Sequence, residues 1–218
     1  MRWLLILLLS LPCMGQVIQL PYFTVTGNSF GEYQAGFAHQ EFPTMPVGDV
    51  NIFGQDGFTC ANIEQMITGL VPKQTTVVAI YGTTNDAKAQ TPIASLVGCM
   101  TNIISILTAR NPSIKIVITN TPPWTQDNCL NLDRRDLIDQ YNAAFLAQQW
   151  NVNGANVTLV DVWNPNILND GSRWGDPAKL ADGFCGVHFG PSHVWTDSWE
   201  HGTAPVSAAV QALAGRQP

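Results

Sequence analysis

The chain has 218 residues, 45% of them hydrophobic and only 12% charged, with a formal net charge of −6 at pH 7. That length builds one domain with a sizeable core. Lys and Arg together number 10 and form no basic cluster, which argues against nucleic acid as a partner and against electrostatic docking to anionic lipid.

The N-terminus reads as a targeting segment. Arg2 supplies positive charge, and the stretch from Trp3 to Leu11 is apolar but for Ser10. Cys13 and Gly15 are small residues at −3 and −1 of a cut before Gln16. The apolar stretch is shorter than the roughly 20 residues that span a bilayer. The expectation is a signal peptide over residues 1–15 and a mature chain that is secreted or periplasmic, without stable membrane insertion. An uncleaved anchor, or a lipoprotein modified at Cys13, is the alternative. Four cysteines remain after cleavage, Cys60, Cys99, Cys129 and Cys185, and an even count in an exported chain favours two disulfides. No Cys-x-x-Cys is present, so no zinc site is expected.

Strand-like and helix-like segments then alternate. Residues 23–26 form a first strand that runs into Gly27-Asn28-Ser29-Phe30-Gly31. The glycines permit a sharp turn that exposes a serine at the sheet edge. This formally matches the G-x-S-x-G elbow of α/β-hydrolases, but that fold builds several strands before its elbow and here there is room for none. A short strand covers residues 49–53, followed by a helix over 61–70. Residues 75–81 read as a buried strand from their continuous apolar, β-branched content. A helix over 91–110 is stopped by Asn111-Pro112. Strands over 114–119 and 157–162 flank a helix over 132–150, and a last helix covers 206–214. Alternation of this kind implies a parallel sheet covered on both faces. Residues 164–203 lack periodicity and carry His188, His193 and His201, three of the chain's four histidines. A loop that long is usually functional.

Parallel sheets bind ligands at the carboxyl ends of their strands. There the chain places Gly27-Asn28-Ser29, then Gly54-Gln55-Asp56-Gly57-Phe58-Thr59, then Gly82-Thr83-Thr84-Asn85-Asp86, and finally the histidine-rich loop. Ester hydrolysis needs a nucleophile, a base and donors aimed at the developing oxyanion. Ser29 supplies the first and a histidine the second. The backbone N–H groups of Ser29 and Gly57 and the uncharged amide of Asn85 suit the third. Taken singly, Ser29 is an ordinary turn residue, Gly57 a turn former and Asn85 an Asx-turn residue or helix cap.

In this order the blocks resemble the SGNH (GDSL-type) hydrolase family. Gly-Asn-Ser stands for its Gly-Asp-Ser. Gly54-x-Asp56-Gly57-x-Thr59 matches its second block, with Asp56 in a serine position. Asn85-Asp86 match its third, with Thr83 where a glycine is usual unless Gly82 serves. Asp197-Ser198-Trp199-Glu200-His201 resembles its last block, with Asp and His four apart rather than three. The resemblance implies a single-domain, flavodoxin-like three-layer α/β/α sandwich with a five-stranded parallel sheet. It implies Ser29, His201 and Asp197 as catalytic residues, and Ser29, Gly57 and Asn85 as the oxyanion hole. His188 and His193 remain alternatives for the base, and Asp182 and Glu200 for the orienting acid. No metal or organic cofactor is implied.

The expected activity is a serine esterase acting on small-molecule or carbohydrate esters, O-acetyl groups included, as a monomer. A non-catalytic carbohydrate-binding protein on the same fold, or a lysophospholipase or lipase, is the alternative. Trp124, Trp163, Trp174, Trp195 and Trp199 fall in loops or just after strands, where they suit either loop packing or an aromatic-lined cleft. By their placement near the helix starts and loops, Cys60–Cys99 and Cys129–Cys185 are the expected disulfides.

Overall fold

The computed structural model describes residues 22–27, 50–71, 73–121 and 134–161, and helical positions 206, 209, 210, 212 and 213 near the C-terminus. Five strands form one parallel sheet: β1 (Tyr22–Gly27), β2 (Val50–Gly54), β3 (Thr75–Tyr81), β4 (Lys115–Thr119) and β5 (Asn156–Val160). Their spatial order is β2-β1-β3-β4-β5, with every neighbouring pair parallel. The helices between them are α1 (Cys60–Leu70), α2 (Thr84–Ala89), α3 (Ile93–Arg110) and α4 (Arg135–Ala147). The expected parallel α/β sandwich is therefore the fold.

Side-chain alternation along the strands separates the two faces. Val78, Ile80, Ile116 and Ile118 join one buried cluster with Ile63 and Ile67 of α1, Leu96, Met100, Ile103, Ile104 and Leu107 of α3, and Ile138, Tyr141 and Phe145 of α4. Val77, Ala79, Tyr81 and Val117 alternate with them and are also buried. The C-terminal helix packs on this second side: Val206 and Val210 are buried, and Lys115 Nζ donates to the Leu213 carbonyl. Buried hydroxyls in β1 are satisfied across the sheet. Thr24 bonds Thr75 Oγ1 at 2.9 Å, and Thr26 donates to the Phe53 carbonyl at 2.9 Å.

Helix α3 has the length and hydropathy to cross a membrane. Its buried residues, Leu96, Met100, Ile103, Ile104 and Leu107, follow the i, i+4, i+7, i+8 pattern of a core-facing stripe. It begins at Ile93 rather than 91, because Pro92 serves as its N-cap and disfavours helical backbone at Thr91. It ends as expected at Arg110, with its C-cap Asn111 preceding Pro112 and accepting from Ser113 N–H through Oδ1 at 3.0 Å.

Helix α4 stops at Ala147, short of the expected 150. Trp150 instead folds back, its indole N–H donating to the Phe145 carbonyl at 2.9 Å with the two rings 4.8 Å apart. The expected 3-residue overrun was an indole capping a helix end. Helix α2, only 6 residues, is absent from the sequence reading, being too short to show a period.

Two devices fasten α1 to α3. The expected Cys60–Cys99 disulfide is present, with Cα atoms 6.2 Å apart and a sequence separation of 39. Closing such a loop removes unfolded-state entropy worth about 4 kcal/mol. Cys129 and Cys185 lie outside the described residues. At the other end of α1, the Arg110 guanidinium donates to the carbonyls of Ile67, Thr68 and Val71 at 3.1, 2.7 and 2.9 Å. These carbonyls lie where the intrahelical ladder runs out, and that of Ile67 also takes the Val71 N–H at 3.4 Å.

Arg110→Ala is therefore expected to destabilise the protein by about 1–3 kcal/mol. Arg110→Lys should restore less than half of that, because one ammonium cannot span three carbonyls as a planar fork does. Urea unfolding of the three proteins checks both statements.

Candidate active site

The strand order places β1 between β2 and β3, so the chain leaves β1 toward one side of the sheet and returns to the other. The crevice between the carboxyl ends of β1 and β3 is the topological switch point, where open α/β sheets bind ligands. Register fixes what meets there: Gly27 pairs with Gly54 on one side and with Tyr81 on the other. The first three sequence blocks are thus brought to one edge.

Gly27 is constrained by this approach. Its φ is +140°, and a Cβ built on it would lie 1.7 Å from the Tyr81 carbonyl oxygen. Its own carbonyl accepts from Gln55 N–H at 3.2 Å, which draws in the loop after β2. Ser29 follows two residues later, outside the described residues, as do Asp197, His201 and the alternatives His188, His193, Asp182 and Glu200. The tryptophans of the expected cleft also lie outside them.

The loop after β2 turns at residues 55–58, with Phe58 N–H bonded to the Gln55 carbonyl at 3.3 Å. Gly57 sits third in the turn with φ +77°, the left-handed conformation that a glycine adopts at this position. It is exposed. Asp56, in the place of the family serine, is exposed as well.

Asn85 is half-buried and is the second residue of α2. The N-caps of α2 and α3 are Thr83 and Pro92, so the reading of Asn85 as a helix cap is set aside. Its Nδ2 donates to the Phe58 carbonyl at 3.0 Å. A carbonyl partner fixes which end of the amide is nitrogen, and one of the two N–H bonds remains to donate elsewhere. Gly57 and Asn85, two of the three expected oxyanion donors, are thereby joined through Phe58.

Thr83, where the resemblance leads one to expect glycine, is buried, and its hydroxyl bonds Thr121 Oγ1. It links the carboxyl ends of β3 and β4. Thr121 N–H in turn donates to Asn142 Oδ1 at 2.8 Å, and Asn142 Nδ2 returns a bond to the Thr121 carbonyl at 2.9 Å. A glycine would leave the first of these bonds unmade.

Asp86 was named in the third block by sequence reasoning but given no role of its own. It is 2% exposed, and its carboxylate accepts from Cys60 N–H at 2.7 Å and from the Thr91 hydroxyl at 3.0 Å. Burial pushes its carboxyl above the ordinary value, against these hydrogen bonds, which favour the charged form. Burial, and then the field of Asp86, push the Tyr141 phenol up to about 12. Among the described residues, no group of three or more His, Cys, Asp or Glu is placed to hold a metal ion.

A family model, the GDSL-like lipase/acylhydrolase family, matches residues 22–192. The chain belongs to that family. The GDSL-like assignment accords with the order of the blocks along the sheet edge. A comparison with curated proteins finds no match. Solved structures similar in fold include a GDSL-like lipase from Bacteroides thetaiotaomicron, 18% identical, with TM-score 0.67, covering 88% of this chain and 88% of that one. A family 3 carbohydrate esterase from Clostridium thermocellum is 16% identical, with TM-score 0.62, covering 89% of this chain and 99% of its own. One from Talaromyces cellulolyticus is 14% identical, with TM-score 0.59, covering 90% and 100%.

Gly27→Ala should lose at least about 3 kcal/mol of stability, since the clash is with main chain and no rotamer relieves it. A urea midpoint within error of wild type would disprove the close approach. A second expectation concerns pH. The raised Asp86 pKa means its stability contribution is fullest below the unfolded value near 3.8 and declines as pH rises through the higher folded value. The stability difference between wild type and Asp86→Asn should therefore shift against wild type from pH 3.5 to 7 in urea titrations.

Proposed function

We propose that this protein is an exported serine esterase that hydrolyses short-acyl esters, O-acetyl groups on carbohydrate among them, through an acyl-enzyme on Ser29. The observation that carries the reading is the joining of the Asn85 amide to Phe58, beside Gly57, at the sheet edge where β1 ends in Gly27, two residues before Ser29 in sequence. Membership of the GDSL-like family supports hydrolase chemistry. Carbohydrate enters as substrate class from the fold's similarity to the two family 3 carbohydrate esterases, together with the tryptophans of the loops.

In this reading His201, oriented by Asp197, takes the proton as Ser29 Oγ attacks the ester carbonyl. The Ser29 and Gly57 N–H groups and the second Asn85 Nδ2–H receive the negative charge that develops on oxygen. Collapse of the tetrahedral intermediate expels the alcohol, protonated by His201. A water activated by the same histidine then releases the acid. The bond from Asn85 to Phe58 holds the amide in place before substrate arrives, so no reorganisation accompanies the attack.

Ser29→Ala is expected to lower turnover of p-nitrophenyl acetate by about 10³-fold or more while leaving the melting temperature unchanged. Asn85→Ala should lower kcat by about 10²–10³ with little change in KM, because the donor acts on charge present only in the transition state. Near-normal turnover in the serine variant would remove the acyl-enzyme on Ser29, whereas no hydrolysis by the wild type would favour the carbohydrate-binding reading. A panel of acetylated glycans and longer acyl esters identifies the substrate class.

A further inference from the structure

Asp86 follows the proposed donor Asn85 directly, yet its carboxylate is committed elsewhere. Oδ2 takes the N–H of Cys60, the first residue of α1, and Oδ1 takes the Thr91 hydroxyl. Its backbone is held too: Thr91 N–H donates to the Asp86 carbonyl at 2.9 Å, and the Tyr141 hydroxyl donates to the carbonyls of Asp86 and Thr91. Two residues earlier than Cys60, the Phe58 carbonyl accepts from Asn85. Consecutive residues 85 and 86 therefore grip residues 58 and 60, one on each side of Thr59, and Gly57 stands immediately before the gripped stretch.

A negative group at a helix N-terminus interacts favourably with the helix dipole. A buried carboxylate nonetheless carries a desolvation penalty that an apolar pair would avoid. Stability alone gives little reason for it, whereas placement does. An oxyanion hole functions only if its donors are held within about half an ångström of the productive geometry. Gly57 sits in an exposed turn that cannot supply such rigidity by packing.

We propose that Asp86 is a positioning residue for ester hydrolysis: by holding Cys60 N–H it sets the Gly57 turn against the Asn85 amide. This rests on the esterase reading above. Asp86 touches neither substrate nor nucleophile in this role; it acts through the main chain of residues 57–60. The Cys60–Cys99 bond fixes the same residue to α3 from its side chain, so Cys60 is held by main chain and side chain at once.

The test is steady-state hydrolysis of p-nitrophenyl acetate by Asp86→Ala and Asp86→Asn, with active sites counted from the p-nitrophenol burst. Asp86→Ala should lower kcat per titrated site by about 10–100-fold, with KM within about twofold, since a displaced donor weakens the transition state and not the ground state. Asp86→Asn keeps one acceptor oxygen for Cys60 N–H and should recover most of the loss. A lower melting temperature with unchanged kcat per titrated site in both variants would overturn the proposal. If Asp86→Ala does not fold, Thr91→Val, which frees one side of the carboxylate, should show the same kcat-only loss at several-fold size; unchanged kcat there also overturns it. Ser29→Ala run in parallel separates the two claims. Turnover that survives in it removes the esterase reading and this proposal together, whereas an inactive Ser29→Ala beside fully active Asp86 and Thr91 variants removes this proposal alone.

Discussion

The meeting of Gly27 with the Tyr81 carbonyl is a contact of main chain with main chain, and the geometry of the sheet edge depends on it. No side chain intervenes between β1 and β3 at their carboxyl ends. Gly27, the last residue of β1, thereby lies at the crevice between them. Gln55 N–H, bonded to the Gly27 carbonyl, brings the next loop to the same place. Side-chain packing then has only to hold this arrangement, and the helices and sheet interior do so with ordinary aliphatic residues.

Around that edge, polar groups rather than apolar ones do the fastening. Thr83 with Thr121, Thr121 with Asn142, Asn120 with Asp161, and Asp86 with Cys60 and Thr91 form a rim of buried or half-buried bonds over the carboxyl ends of β3, β4 and β5. Hydrogen bonds have direction where hydrophobic contacts do not. A rim of this kind specifies angles as well as proximity, which is what a site for charge stabilisation needs. The raised Asp86 and Tyr141 pKa values are the sign that this specification works against hydration.

The parts of the fold legible in sequence were those in which one residue type repeats. Thr75–Tyr81 showed its strand because every position is β-branched, aromatic or small and apolar, and the observed bounds coincide. Helix α3 was legible from its stripe and from Pro112. What escaped was contact between residues distant in sequence. Asp86 lies 26 residues from Cys60, and Arg110 lies 39–43 residues from the carbonyls it caps; no local pattern encodes either. Trp150 looked helical because it continues an apolar face, when its indole N–H in fact closes the helix. At the site, Gly57 and Asn85 could be singled out from strand-end position, but their connection through Phe58 became visible only in three dimensions.

The two attachments of α1 to α3 have a consequence for how the protein breathes. One lies at Cys60, the first residue of α1, and the other at its last carbonyls, so α1 has no free end to fray independently. Opening that exposes the amides of α1 must release the end of α3 as well, or stretch the chain between the two ties. Native-state hydrogen exchange should then group the amides of α1 with those of the last turns of α3 in one cooperative unit of common opening free energy. The turn bearing Gly57 adjoins the covalently tied end of that unit, so its local motion is limited by the opening of that unit.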